Sequence, residues 1–475
     1  MSIAQENEKL TTKDNLITGP IGKELFLFAM PLLGASIIQQ FYNIIDLIFV
    51  GRILGTTATA AVGASSLIVT CLVGFFTGLS VGVGVIVSNA VGEKNDERIQ
   101  KTIHTAMGIS LIGGILVTVI GIVLSPYFLN WLNTPESAYD QAVVYIRVYF
   151  LSMIPLFIYN MDSGIIRAGG NSKTPLIIQL IGGIINIIFN WFALCILKMD
   201  VGGAALSTVV SQVVTAVLAA GYLMKQEGVW HLSLRKITID PIVLKVICQV
   251  GIPAGLQSMV ITLSNIFVQY GVNSLGVDET AAYAIYGKVE MILYIPIVSF
   301  GQSITTFAGQ NAGAGNYKRI NKGVWECIAM GLVYTVAMSI VMIIFGDYIF
   351  GLFSEDSAVV ACGVRFISVT FPFYWLYVFL EVYADAIRGV GKSIPPMVII
   401  LLNICVLRTI LLFIFLNVWG TLESVAAVYP CAWFGCALCL FIYWITGKWK
   451  PEGVGKNSVR KVSDLKGHEE NPDIL

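Results

Sequence analysis

Nine charged side chains lie well inside long apolar stretches of this chain, and any chemistry has to begin with them. The acids are Asp46, Asp162, Glu290, Glu381 and Asp385; the bases are Arg147, Lys288, Arg365 and Arg408. A charge at mid-bilayer costs about 2.5–3.5 kcal/mol on insertion scales, so each should face a cavity or a partner. Asp46 closes the stretch Gln39-Gln40-Phe41-Tyr42-Asn43-Ile44-Ile45-Asp46, fifteen residues after Pro31. That is about 22 Å along one helix, which Pro31 can bend by freeing a backbone carbonyl. The ionised form of a buried carboxylate is the costly one, so a proton or a cation bound at Asp46 would act as a switch. The alternative is a carboxylate held by Asn or Tyr for packing alone. Glu381 and Asp385 are four apart and share a helix face, where two carboxylates resist joint ionisation. Asp385 lies three residues before Arg388 and reads as its partner. Glu381 is deeper and reads as a second acid or an anchor for a positively charged ligand, with Arg408 and Lys288 as candidate counter-charges. Asp162, five residues before Arg167, falls near a helix end, and reads either as a further candidate acid for the substrate site or as a carboxylate within reach of interfacial water. Phe371, Phe373, Tyr374, Trp375, Tyr377 and Phe379 crowd the helix of Glu381 and could line a cavity for flat cations, or simply pack it.

The elements that position these groups are membrane helices. With 56% hydrophobic and 12% charged residues, the chain carries about half the charge of a soluble protein. Twelve apolar stretches can span a bilayer, at 25–50, 58–89, 101–124, 138–166, 175–197, 203–224, 245–271, 280–310, 322–345, 358–387, 395–416 and 424–446. Several exceed the roughly 20 residues a span needs, which predicts tilted or kinked helices. The runs are too long and too little alternating for a β-barrel. Metal chemistry finds no support. His104, His231 and His468 lie near loops or the tail, and Cys436-Ala437-Leu438-Cys439 lacks partner ligands. No Gly-x-x-x-x-Gly-Lys-Ser/Thr motif is present, so ATP hydrolysis is not expected, nor is a cofactor. Nothing points to a nucleic-acid partner.

The chain also repeats itself. Ile166-Arg167-Ala168-Gly169-Gly170-Asn171-Ser172-Lys173-Thr174-Pro175 is echoed by Ile387-Arg388-Gly389-Val390-Gly391-Lys392-Ser393-Ile394-Pro395-Pro396, 221 residues later. Gly92-Glu93-Lys94-Asn95 answers Gly313-Ala314-Gly315-Asn316 at the same offset, and Pro31 answers Pro253 one residue out of register. Arg147 and Arg365 form a further pair, each ahead of an aromatic, proline-containing stretch. Two lobes with a site between them are the expected architecture. The loops on one side, with both termini, hold 23 of the 29 lysines and arginines; the opposite loops hold only Arg52 and Lys198. This bias places both termini in the cytoplasm. Each half has an even number of helices, so the lobes should be related by an axis along the membrane normal. The expected organisation is a cytoplasmic N-terminus (1–24), an N-lobe (25–225), a linker (226–244), a C-lobe (245–446) and a basic tail (447–475). The first helix reads as an uncleaved insertion signal. Residues Lys448 to Lys466 could rest on anionic lipid, though ordinary positive-inside retention also explains them.

Twelve helices in two parallel halves, Asn43-Ile44-Ile45-Asp46 and the two Arg-x-x-Gly loops together resemble the multidrug and toxic compound extrusion (MATE) transporters over residues 20 to 446. The likeness is strongest to the bacterial and archaeal branch with the DinF-like and MepA-like proteins. The resemblance implies an acid in helix one downstream of a proline, here Asp46 and Pro31. It also implies an Asn-x-x-x-Asp pattern in helix five, completed by a Thr in helix six. The chain has Asn186-Ile187-Ile188-Phe189-Asn190 and Thr208, so Asn190 replaces the second carboxylate. Asn186, Asn190 and Thr208 could supply oxygen ligands for Na⁺ beside Asp46, or cradle a protonated Asp46. The NorM-like acid of helix seven has no equivalent in Leu256-Gln257-Ser258-Met259-Val260-Ile261-Thr262-Leu263-Ser264. The resemblance implies a cell-membrane secondary exporter, not an enzyme, that exchanges an amphipathic organic cation for H⁺ or Na⁺. The rival within the superfamily is a lipid-linked oligosaccharide flippase, which should need a more cationic cavity. A membrane enzyme would need a nucleophile and base or a metal, and a channel a repeated filter motif. A monomer suffices, since the internal two-fold needs no second copy.

Overall fold

The computed structural model describes residues 15–132 and 134–451. Lys9, Lys13, His468 and the basic tail beyond 451 lie outside the described residues. The first half contains α1 (Asn15–Thr18), α2 (Ile21–Phe49), α3 (Thr56–Glu93), α4 (Asp96–Trp131), α5 (Glu136–Phe150), α6 (Met153–Ala168), α7 (Lys173–Trp191) and α8 (Val201–Met224). The second contains α9 (Pro241–Asn273), α10 (Val277–Gly313), α11 (Tyr317–Ile344), α12 (Gly346–Gly351), α13 (Ser357–Thr370), α14 (Trp375–Gly389), α15 (Ile394–Ile400), α16 (Arg408–Val418) and α17 (Leu422–Ile445). Among the described residues, ten helices are long and apolar enough to cross a membrane, and twelve spans result when each of two bent pairs counts as one. No strand occurs among the described residues. The all-α, two-lobed membrane architecture expected from the sequence is therefore the observed one.

The stretches read as single spans at 138–166 and 358–387 are both broken. Helices α5 and α6 meet at 45°, and α13 and α14 at 52°. Each break has a proline beside it, Pro155 and Pro372, whose missing N–H leaves a carbonyl of the preceding turn without its helical partner.

The repeated loops have a local cause. Gly170 and Gly391 both have positive φ, 89° and 94°. Each donates its N–H to the carbonyl three residues back, Arg167 and Arg388, at 2.8 Å. The next residue's amide closes the turn on Ile166 and Ile387. This is a left-handed helix cap, which glycine adopts without strain. The two halves thus end matching helices in the same way.

The lobes exchange parts. The first half of α2 (Leu25, Phe28, Ala29, Leu32) packs into the core of the second half of the chain, with Leu293, Ile304 and Phe307. Ser303 Oγ fixes it there by donating to the Leu25 carbonyl at 3.0 Å. Beyond Pro31, α2 turns to its own lobe and packs along α7, where a Cβ on Gly183 would meet the Tyr42 ring at 3.3 Å. Helix α9 does the reverse: Val243 and Ile247 join the core of the first half, while Val268 and Val272 join the second. The crossing is tight because both partners are small. A Cβ on Gly82 would come within 2.7 Å of the Ile247 carbonyl, and one on Gly78 would overlap the backbone of Ala254 and Gly255.

This packing closes the molecule on the side that carries the Lys94, Gly170, Gly315 and Gly391 turns, the basic side of the sequence. Two cross-lobe hydrogen bonds lie there. Asn89 Nδ2 donates to the Gly389 carbonyl at 3.2 Å, and Gln310 Nε2 donates to the Ala168 carbonyl at 2.8 Å. Donors and acceptors are both 221 residues apart, so the pair obeys the internal two-fold. The linker is strapped beneath α4 with Trp230 and Leu232 buried, and the Asp240 amide donates to Thr105 Oγ1 at 3.1 Å.

Candidate functional site

Two polar centres and a cavity sit above this closed end. The first centre is Asp46, presented by the second half of α2 toward α7. Asn190 Nδ2 donates to its Oδ1 at 2.7 Å. Asn186, one turn earlier, donates to the same oxygen at 2.7 Å when its amide is oriented with nitrogen toward the carboxylate. The spacing of four puts both amides on one face of α7. Both asparagines are fully buried. Tyr42 lies one turn before Asp46 on α2, and Tyr145, stacked on Tyr149 at 6.1 Å, packs into the small core around Val50 just past the end of that helix. Asn190 Oδ1 is buried without a partner, an acceptor free to receive a proton donor or a cation. Thr208 lies on α8, and its side chain is not bonded to the carboxylate.

The cavity lies between the lobes, with a volume of about 340 Å³. Its wall from the first half includes Gln39, Tyr159, Arg167, Gln179 and Gln212; from the second come Gln257, Tyr294, Gln302, Tyr377, Glu381, Asp385 and Arg388. Asp385 and Arg388 form the buried ion pair that their spacing suggests, and Arg388 Nη2 also donates to Gln257 Oε1 at 3.0 Å. Glu381 has no ion pair among the described residues and borders the Tyr294 and Tyr377 rings, which lie 5.8 Å apart. Gly301 makes this approach possible, since a Cβ there would meet Glu381 Cγ at 3.1 Å and overlap an Asp385 oxygen. The cavity thus has one uncompensated carboxylate among aromatics on one wall and the Arg167 guanidinium on the other.

Several sequence expectations need correction. Arg408 and Lys288 are not the counter-charges of Glu381. Arg408 is fully buried elsewhere, bonded to Ser264 and Asn265, and Lys288 is exposed. The neighbouring charges of Glu381 are Asp385 and Arg388. Asp162 does not reach interfacial water: it is 1% exposed, with one carboxylate oxygen unpartnered, and it lies behind the cavity wall. Arg147 and Arg365 are exposed, and Arg365 pairs with Glu423 at 3.1 Å in the first turn of α17. The sequence reading missed the glutamines and the cavity-facing role of Arg167 and Arg388. Uncharged amides carry no burial cost large enough to stand out. The two arginines sit beside basic turns and resemble ordinary loop charges.

A two-lobed helical membrane protein with a polar cavity between lobes and a carboxylate on a proline-bearing first helix is a transporter by class. Residues 31–192 and 253–414 each match the family described as MatE, and the chain belongs to it. The second match starts 222 residues after the first and has the same length, which is the internal duplication. Among curated relatives, the chain is 26% identical to "Probable multidrug resistance protein YoeA" of Bacillus subtilis (strain 168), covering 91% of this chain and 95% of the relative. It is 29% identical to "Probable multidrug resistance protein YpnP" of the same organism, covering 91% and 96%. Among solved structures, "Outward-facing conformation of a multidrug resistance MATE family transporter of the MOP superfamily" has a TM-score of 0.87 at 20% identity, covering 92% and 98%. MATE proteins are transporters rather than enzymes, so this is a multi-pass membrane transporter of that family.

Proposed function

We propose that the protein is a secondary active exporter of amphipathic organic cations, driven by inward movement of H⁺ or Na⁺. The observation that carries this reading is the separation of two acids. Asp46 lies in a buried amide cradle off the cavity, while Glu381 lines the cavity among Tyr294 and Tyr377. The first suits a small ion and the second a flat cation, whose charge an aromatic box and one carboxylate would stabilise. The names of YoeA and YpnP, which speak of multidrug resistance, favour the same cargo. The lipid flippase reading is weaker, since Arg388 is already paired to Asp385 and Arg167 is left as the one other basic group on the wall. With the basic side in the cytoplasm of a cell-membrane protein, the closed end faces inward. Ion binding at Asp46 would then bias one arrangement of the lobes over the other, as coupling requires.

The test is efflux of a fluorescent organic cation from proteoliposomes under separate pH and Na⁺ gradients, with wild type and Asp46→Asn. Export under one gradient, lost in the variant, is the expected outcome and identifies the ion. Wild-type protein that moves no cation under either gradient would overturn the reading.

A further inference from the structure

The internal repeat allows the two lobes to be compared residue by residue at the ion site. Pro31 and Pro253, which begin the two matched segments' shared register, are 222 apart, and the same offset aligns Asn43 with Asn265. In the fifth helix of each half the offset starts at 221, from Arg167 and Arg388. The second half then carries a π-helical stretch, Leu401–Leu407, ahead of α16, whereas α7 is regular up to Trp191. A π-bulge accommodates one extra residue in a helix. Past it, Asn186 corresponds to Arg408.

The contacts agree with this correspondence. Asn186 on α7 reaches across to α2; Arg408 on α16 reaches across to α9. Arg408 Nε donates to Ser264 Oγ at 3.0 Å and Nη2 donates to Asn265 Oδ1 at 2.8 Å. Ser264 and Asn265 are the counterparts of Tyr42 and Asn43. The guanidinium also lies over the Tyr429 ring at 5.2 Å. The counterpart of Asp46 is Val268, 1% exposed in the core. The second lobe has therefore lost the carboxylate of the ion site and gained a permanent charge of the opposite sign. The carboxylate at the same aromatic cluster is Glu290 on α10: it makes no ion pair with Arg408, but it accepts from Tyr374 Oη at 3.1 Å, and the Tyr374 and Tyr429 rings both pack against Trp433, at 4.9 and 5.6 Å.

We propose that Arg408 is a tethered cation, filling in the second lobe the place an exchanged ion takes in the first, so that ion coupling runs through the Asp46 lobe alone. The proposal rests on the reading of Asp46 as the coupling carboxylate. Its physical logic is that a fixed guanidinium balances a buried carboxylate without entering or leaving, which makes that lobe indifferent to the ion gradient. A guanidinium is never deprotonated in a protein, so pH cannot release the charge.

The experiment is thermal melting of the full-length purified protein in detergent, across pH and with or without added Na⁺. The Asp46→Asn variant sets the baseline, which still carries the pH response of Glu381 and Asp162. Adding R408Q should add a further dependence, with melting temperature rising on acidification or on Na⁺ addition, because Glu290 then needs a proton or a cation. E290Q on top of R408Q should remove the added response, and R408K, at a pH where its ammonium is protonated, should show no added Na⁺ response. A R408Q response absent altogether, retained in E290Q or, for Na⁺, shared by R408K would overturn the proposal. If R408Q does not fold, R408Q/E290Q, which removes both charges, should recover folding, and failure to recover is equally fatal. If wild type and Asp46→Asn respond to ions alike, it is the Asp46 reading that falls, while the R408Q comparison still decides the role of Arg408.

Discussion

Asp46 has two amide donors and no second acid, so its cradle bears one negative charge. Donors pointing at the carboxylate stabilise it ionised, and the unpartnered Asn190 Oδ1 is a spare oxygen for an incoming cation. A single carboxylate with neutral oxygens is a weak Na⁺ site, because most of the attraction in a partly dry pocket is charge to charge. Asn190→Asp would add the missing charge on the helix face that already meets Asp46. In the ionised state two acids so close repel each other, and a cation between them relieves that repulsion. The expected outcome is a rise of about tenfold in apparent Na⁺ affinity, equivalent to about 1.4 kcal/mol. The Na⁺ dependence of cation efflux at fixed pH measures it. An unchanged or weakened Na⁺ response would mean that residue 190 does not face the bound ion.

At the scale of elements, much was legible and the rest has a clear physical reason for its silence. The spans, the duplication and the Asp385–Arg388 pair followed from apolar run length, repeated turns and helical spacing. The exchange of the first halves of α2 and α9 between lobes was not legible, because an apolar helix face does not encode which apolar face it meets. Nor were the cavity glutamines, whose significance depends on which helices converge. The paired cross-lobe bonds are the element-scale consequence. Asn89 and Gln310 each hold the end of the opposite lobe's broken span through a carbonyl. A net hydrogen bond is worth about 1 kcal/mol, or roughly fivefold in an equilibrium. Asn89→Leu and Gln310→Leu should each shift the lobes toward opening on the basic side by about that factor. The double variant should do so by about the product, since the two bonds share no partner. Distances between spin labels on the Lys94 and Gly315 turns check this. Equal distance distributions in wild type and double variant would show that the exchanged helices and the close glycine packing keep the end closed without these two bonds.

For the whole molecule, the exchange makes α2 a mechanical link. Its first half is anchored in the second lobe by Leu25, Phe28 and Ser303, while its second half carries Asp46 in the first lobe. Any rocking of one lobe against the other must be absorbed between these anchors, and Pro31 lies there. A regular helix would resist the bend through the hydrogen bond from residue 31 to the Leu27 carbonyl, which proline cannot make. Helix α9 is built the same way around Pro253, so the molecule has two such links related by its internal axis. One of them leads to the Asp46 amide cradle and the other to the buried Arg408 cluster. Pro31→Ala would restore the bond and stiffen the link between the Asp46 cradle and the second lobe. Turnover should fall by about fivefold, the factor corresponding to about 1 kcal/mol, with equilibrium binding of the fluorescent cation at the cavity little changed. Pro31→Gly, which also restores the N–H but loosens the backbone, should lose less. Initial efflux rates and binding titrations on the same preparations separate the two effects. A loss of binding equal to the loss of rate would place Pro31 in the cavity's structure rather than in the motion between its states.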